Sequence, residues 1–199
     1  MTELTGHELV GERRTGERRS PERRVGRMAA ADLTPLWLKV TSGIVKRGFV
    51  IEYRDLEPPR TGVFDGLRIT LDPDVDFEMQ CFILLHLFGH SVQWVAPSLE
   101  AKLHDLQNES DKEKFLDVLH KYEYEAARFG LQLLYEVGAT GYDEWFSDFV
   151  ATDWRYVERY YREDAIPPWS ECLVEDGPRV EPSPIPELVH KQVAVRFAF

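Results

Sequence analysis

The stretch 77–94 constrains the fold of this chain more than any other part of it. Residues 81–85 within it read Cys-Phe-Ile-Leu-Leu, and a helix that is apolar on all sides is a buried one. Asp74 or Asp76 precedes the stretch as a helix N-cap, and Pro97 ends it. We therefore predict a central helix around which the other elements pack.

Two histidines, His86 and His90, lie on this predicted helix. Residues four apart share one helix face, one turn from each other. Their imidazoles can therefore converge on one metal ion at about 2.0–2.1 Å. Backbone carbonyls or water can also satisfy two buried imidazoles, because each ring needs hydrogen-bond partners. The pair alone leaves both interpretations open.

Caps, turns and periodicity predict the other elements. Thr34 is the expected N-cap of a first helix, with Pro35 at its first position and Gly48 at its end. A strand at 49–53, hairpin strands at 62–64 and 67–71 around Asp65-Gly66, and helices at 111–137 and 142–162 follow. This set predicts an α+β fold, a helical domain with a small sheet of three to four strands.

Composition divides the chain into three predicted parts. Residues 1–30 contain three pentads of one Glu-Arg-Arg pattern broken by Gly and Pro, which predicts a disordered basic arm. Residues 31–165 hold the predicted helices and strands of the domain. Residues 166–199 form a Pro-rich extended tail that ends in alternating apolar positions. That alternation predicts a final strand at a sheet edge, either this chain's own or a partner's.

Charge and residue usage exclude several function classes. The net charge is −11, which separates into +2 for residues 1–27 and −13 for the rest. An acidic surface repels phosphate, so nucleic acid is disfavoured except through the Arg-rich arm. No apolar run reaches the roughly 20 residues that span a bilayer. Two Cys outside any CxxC pair and the lack of a secretory signal predict a cytoplasmic protein, with oligomeric state open.

Three segments together resemble the ImmA/IrrE-type metallopeptidases, a gluzincin family. Residues 67–73 are similar to the strand that leads into the family's zinc helix, and 82–90 are similar to that helix, although its HExxH reads His-Leu-Phe-Gly-His. Residues 123–130 are similar to the family's E-x-x-A-N-x-F-A signature. The resemblance implies a zincin-like fold and a zinc site whose third ligand is Glu123. Periodicity alone does not separate Glu123 from Glu125, since they flank the same apolar stripe.

The position after the first histidine departs from the family. There a Glu moves the proton of the metal-bound water, whereas this chain has Leu87. We therefore predict a catalytically impaired metallopeptidase-like protein that binds zinc through His86, His90 and Glu123 and acts by regulatory protein binding. Two alternatives stay open. One is an interaction or assembly module without metal. The other is an active zinc hydrolase whose base is a different acid, for which the candidates are Glu136, Glu144 and Asp148.

Overall fold

A computed structural model describes residues 28, 30–97, 111–190 and 197–198. The described elements are α1 (Ala30–Lys46), β1 (Val50–Tyr53), β2 (Gly62–Phe64), β3 (Arg68–Leu71), α2 (Phe77–Val95), α3 (Lys112–Glu136), α4 (Asp143–Glu163), a 3-10 turn (Trp169–Glu171) and β4 (Phe197–Ala198). This confirms an α+β fold with a small sheet. The predicted basic arm before residue 28 and positions 193–196 and 199 of the predicted last strand lie outside the described residues.

The helix α2 is the centre of the molecule, as its sequence predicts. All but two of its 19 residues are buried, the exceptions being Phe77 and Gln80. Asp76 is the cap, since its Oδ1 accepts a hydrogen bond from the Met79 N–H at 3.0 Å. The strands β2 and β3 pack on one part of α2, and α1 and α3 pack on others. None of the described helices is long and apolar enough to cross a membrane.

The sheet has the strand order β1-β3-β2-β4. The predicted hairpin is present: β2 pairs antiparallel with β3, with Phe64 opposite Ile69. Asp65 shapes the turn, because its Oδ1 accepts from the backbone N–H groups of Leu67 and Arg68 at 3.1 and 2.8 Å. Strand β1 lies parallel to β3. The short β4 lies antiparallel to β2, so the predicted terminal strand joins this chain's own sheet.

The first helix begins earlier than the sequence indicates. Thr34 was expected to cap it, but α1 starts at Ala30 and Pro35 lies inside it. A proline at that depth removes one backbone hydrogen bond. The extension places Leu33 in the core with no exposed surface, and burying a leucine side chain is worth about 1.5–3 kcal/mol. Burial of Leu33 therefore offsets the lost bond.

Between residues 166 and 190 the Pro-rich tail runs along α3 and α4 and forms no helix or strand apart from the 3-10 turn. Its backbone donates to these helices at several points: Gly177 N–H to Asp148 Oδ1 at 2.9 Å, Val180 N–H to Ser147 Oγ at 3.1 Å, and Ser183 N–H to the Arg128 carbonyl at 3.3 Å. Prolines prevent the tail from forming a helix or a strand here, so its backbone N–H groups find their hydrogen-bond partners on the two helices instead. The tail thereby holds α4 in position.

Candidate metal centre

The two histidines of α2 converge at their outer ring nitrogens. The Nε2 atoms of His86 and His90 are 3.0 Å apart, and both side chains are almost completely buried, with 3% and 1% of their surface exposed. The i, i+4 spacing produces this arrangement, because both rings extend from the same face of the helix. The sequence prediction of a convergent pair is met by the geometry.

Glu123 of α3 completes a triangle with the two rings. Its Oε2 lies 3.0 Å from the Nε2 of His86 and 3.0 Å from the Nε2 of His90. Glu125 points elsewhere, since its Oε2 accepts a hydrogen bond from Gln93 Nε2 at 3.2 Å. The structure therefore brings Glu123, and not Glu125, to the histidines.

The dimensions of this triangle fit a metal ion. A point about 2.0 Å from three atoms that are 3.0 Å apart lies about 1 Å outside their plane. Ligand atoms about 2.0 Å from a tetrahedral ion are themselves about 3.3 Å apart. Two imidazole nitrogens and one carboxylate oxygen are also donors that zinc accepts. The cluster formed by His86, His90 and Glu123 could hold a metal ion.

Close approach of two helix backbones creates the cluster. A Cβ added at Gly89 of α2 would come within 2.8 Å of the Cα of Ala126 on α3 and closer still to its carbonyl. Only glycine lets the helices touch at this point. Gly89 lies one residue before His90, and Ala126 lies one turn after Glu123. The contact therefore sets the distance between the histidines and the carboxylate.

Gln93 orients the ring of His90. Its Nε2 donates to the Tyr122 carbonyl at 2.8 Å and to Glu125 Oε2 at 3.2 Å, so its Oε1 faces His90 Nδ1 at 2.8 Å. An amide oxygen accepts only, and Nδ1 must therefore carry a proton. This leaves Nε2, which faces Glu123, as the ring nitrogen that can bind a metal ion. Metal-binding histidines are oriented in this way by a partner on the other nitrogen.

Aromatic side chains hold the two rings from outside the triangle. Phe64 of β2 stacks on His90 with 5.7 Å between ring centroids and 9° between planes. Phe82 stacks on His86 at 5.6 Å and 26°. Tyr122 packs against His90 at 4.9 Å and accepts a hydrogen bond from Trp94 Nε1 through its hydroxyl. These contacts restrict ring rotation and exclude water, which strengthens charge interactions at the cluster.

Asp153 of α4 also reaches the cluster, and the sequence did not single it out. Its Oδ2 lies 3.8 Å from His86 Nε2, and it lines a small concavity together with His86 and Glu123. Asp153 follows Phe146 and Phe149 by seven and four residues, so it falls on the buried stripe of α4. The sequence feature that could have identified Asp153 is its position as a carboxylate among the apolar residues of this stripe.

Burial and charge act on the two carboxylates in opposite directions. Burial raises the pKa of Asp153 to about 6, with Glu123 adding to the rise and His86 opposing it. Burial also favours protonation of Glu123, but the charges and hydrogen bonds of His90 and His86 outweigh it and lower that pKa to about 2. Glu123 is therefore the carboxylate that stays ionised beside the histidines.

The base position and the alternative acids lie away from the triangle. Leu87 is fully buried, and its side chain packs against Gly62 of β2. Glu136 pairs with Arg47, Glu144 pairs with Arg179, and Asp148 accepts from the tail. None of these three acids lines the concavity beside His86. The acid of α4 that does line it is Asp153.

Comparisons with protein-family models, with curated proteins and with solved structures found no match to this chain. The resemblance to ImmA/IrrE peptidases thus rests on the motif residues quoted above. The geometry of the cluster is independent of that resemblance, because it follows from the positions of His86, His90 and Glu123 alone.

Proposed function

We propose that this protein is a metallopeptidase-like protein that binds zinc and has lost efficient peptide hydrolysis. The observation that carries the proposal is the triangle of His86, His90 and Glu123, with 3.0 Å between each pair of ligand atoms. Three protein ligands from an HxxxH pair and a downstream Glu are the donor set of many zinc hydrolases.

The loss of hydrolysis follows from position 87. A general base contributes about 10²–10⁴ to the rate of such reactions, and an aliphatic side chain cannot transfer a proton. Leu87 is buried against β2, so this position is filled by packing rather than by water. A regulatory role through a protein partner is what the family resemblance implies, and the −13 charge of residues 28–199 suits a partner with a basic surface.

Metal content is the first test. We expect one zinc per chain by elemental analysis after dialysis, and its loss in H86A because an imidazole ligand is removed. H190A is the matched control, since His190 is exposed and packs on Phe49 away from the cluster. Zinc retained by H86A would place the metal elsewhere in the protein, and zinc absent from the wild type would favour a metal-free interaction module.

A second cluster of carboxylates could also bind the metal, so the experiment has to distinguish the two sites. Asp55, Asp72 and Asp74 also bring oxygens close together, although Asp72 already accepts from the N–H groups of Leu56 and Asp74. D74N should leave the zinc content unchanged. Loss of zinc in D74N but not in H86A would show that the metal binds at the aspartate cluster and not at the histidines.

The catalytic part of the proposal is tested on an unfolded protein such as casein. The zinc-loaded protein is expected to leave it intact over hours. Cleavage that disappears in E123Q would show an active hydrolase. An acidic residue elsewhere in the chain would then have to serve as the general base.

A further inference from the structure

We infer that Asp153 is a fourth ligand, so that the bound ion has four protein ligands and is held as a structural ion. This inference rests on the proposed zinc site and deepens it. Structural zinc sites have four protein ligands, whereas catalytic sites keep one position for water or substrate.

The position of Asp153 supports direct ligation. Its Oδ2 is 3.8 Å from His86 Nε2, against about 3.3 Å between ligands of a tetrahedral ion. Asp153 lies outside the group whose ligand atoms are all within 4.8 Å of one another, so direct ligation requires its carboxylate to move toward His90 and Glu123 by about 1.5 Å or more, which a change of side-chain rotamer provides. Asp153 also shares its concavity with His86 and Glu123, so its carboxylate faces the same space as two of the three ligands.

The charge balance gives a second, independent argument. Two neutral imidazoles and the Glu123 carboxylate leave a divalent ion with a net charge of +1. A buried net charge is costly unless it is paired, and His86 and His90 have almost no exposed surface. The carboxylate of Asp153 makes the site neutral.

The neighbours of the concavity close it further. The ring of His120 stacks on Trp154 with 4.2 Å between centroids, and both line the concavity with Tyr124 and Val150. Side-chain exposure of Glu123 and Asp153 is only 12% and 11%. Such surroundings suit an ion that stays in place, because an exchanging substrate needs an open ligand position.

The decisive experiment compares D153N with wild type by two measurements. Zinc affinity, from competition with a chromophoric chelator, is expected to fall at least about 100-fold, the upper end of the loss caused by an outer ligand partner. In protein loaded with Co²⁺ instead of zinc, the visible bands should change in shape and intensity, because they report the number and type of ligands. Asn fits the space of Asp, and circular dichroism checks the fold.

D148N is the matched control, since Asp148 is a buried aspartate of the same helix that accepts from the tail. It should keep both the affinity and the cobalt spectrum. D153A serves as a second variant if D153N does not fold.

The outcomes separate the two proposals. Wild type without any metal would end the proposed zinc site itself. Metal binding that is lost in H86A but unchanged in D153N would overturn only the fourth ligand. A lower affinity with an unchanged cobalt spectrum would also overturn it, because Asp153 would then act through water or through His86.

Discussion

Replacing Gly89 by alanine tests whether the contact between α2 and α3 builds the proposed metal centre. The new Cβ would lie 2.5 Å from the Ala126 carbonyl carbon and closer still to its carbonyl oxygen, whereas carbon atoms in contact are about 3.5–4.0 Å apart. The helices would have to separate by more than about 1 Å. Overpacking of this kind costs about 1–3 kcal/mol, and alanine returns about 1 kcal/mol through its better helix propensity.

Contacts this close to backbone atoms belong at the upper end of that cost, so we expect G89A to lower the free energy of unfolding by about 2 kcal/mol, even though alanine is the best helix former. The same separation would draw Glu123 away from both histidines, which now lie 3.0 Å from it. Zinc affinity should fall about 10–100-fold, as expected when ligands lose their orientation. Urea unfolding measures the first effect, and chelator competition measures the second.

G43A is the matched control for this experiment. A Cβ at Gly43 of α1 meets the side-chain ends of Val137 and Leu133, and such ends move more easily than a helix backbone. G43A should therefore retain zinc affinity. If G89A matches G43A in both stability and zinc affinity, the helix contact does not set the ligand distances and the reasoning is wrong.

Two further predictions concern the groups around the triangle. In metal-free protein the raised pKa of Asp153, about 6 against an ordinary 3.8, means that the folded state binds more protons than the unfolded state between these values. Stability from this group therefore falls as pH rises through that window, by at most about 3 kcal/mol. D153N should be more stable than wild type at pH 7.5 and close to it at pH 4 in urea unfolding with chelator present; equal stability at pH 7.5 would contradict the burial argument. Q93L removes the acceptor of His90 Nδ1 and should weaken zinc binding about 10–100-fold in chelator competition; unchanged affinity would show that Gln93 does not orient the ring.

The sequence predicted most of the elements that carry the site. The continuous apolar surface of α2 required burial, and four-residue spacing required a shared face for His86 and His90. The turn at Asp65-Gly66 fixed the hairpin that supports Phe64. These features are local, so they can be recognised without knowledge of the tertiary structure.

The features that the sequence did not predict depend on how the helices pack against one another. Glu123 and Glu125 border one apolar stripe on opposite sides, and only the packing of α2 against α3 selects the first. Asp153 resembles the other acids of α4 in sequence, and its role appears only when α4 packs beside His86. The early start of α1 has the same origin, since burial of Leu33 outweighs a local signal at Thr34.

The order of the sheet has a consequence for biosynthesis. Strand β2 supports His90 through Phe64, and its second edge is covered by β4 at residues 197–198. More than 130 residues separate the two strands in the chain, so β4 does not cover this edge of β2 until residues 197–198 have been synthesised. An uncovered edge is a template for pairing with other chains. The last strand therefore closes an edge that is open in the growing chain, and it completes the sheet beside the candidate metal centre.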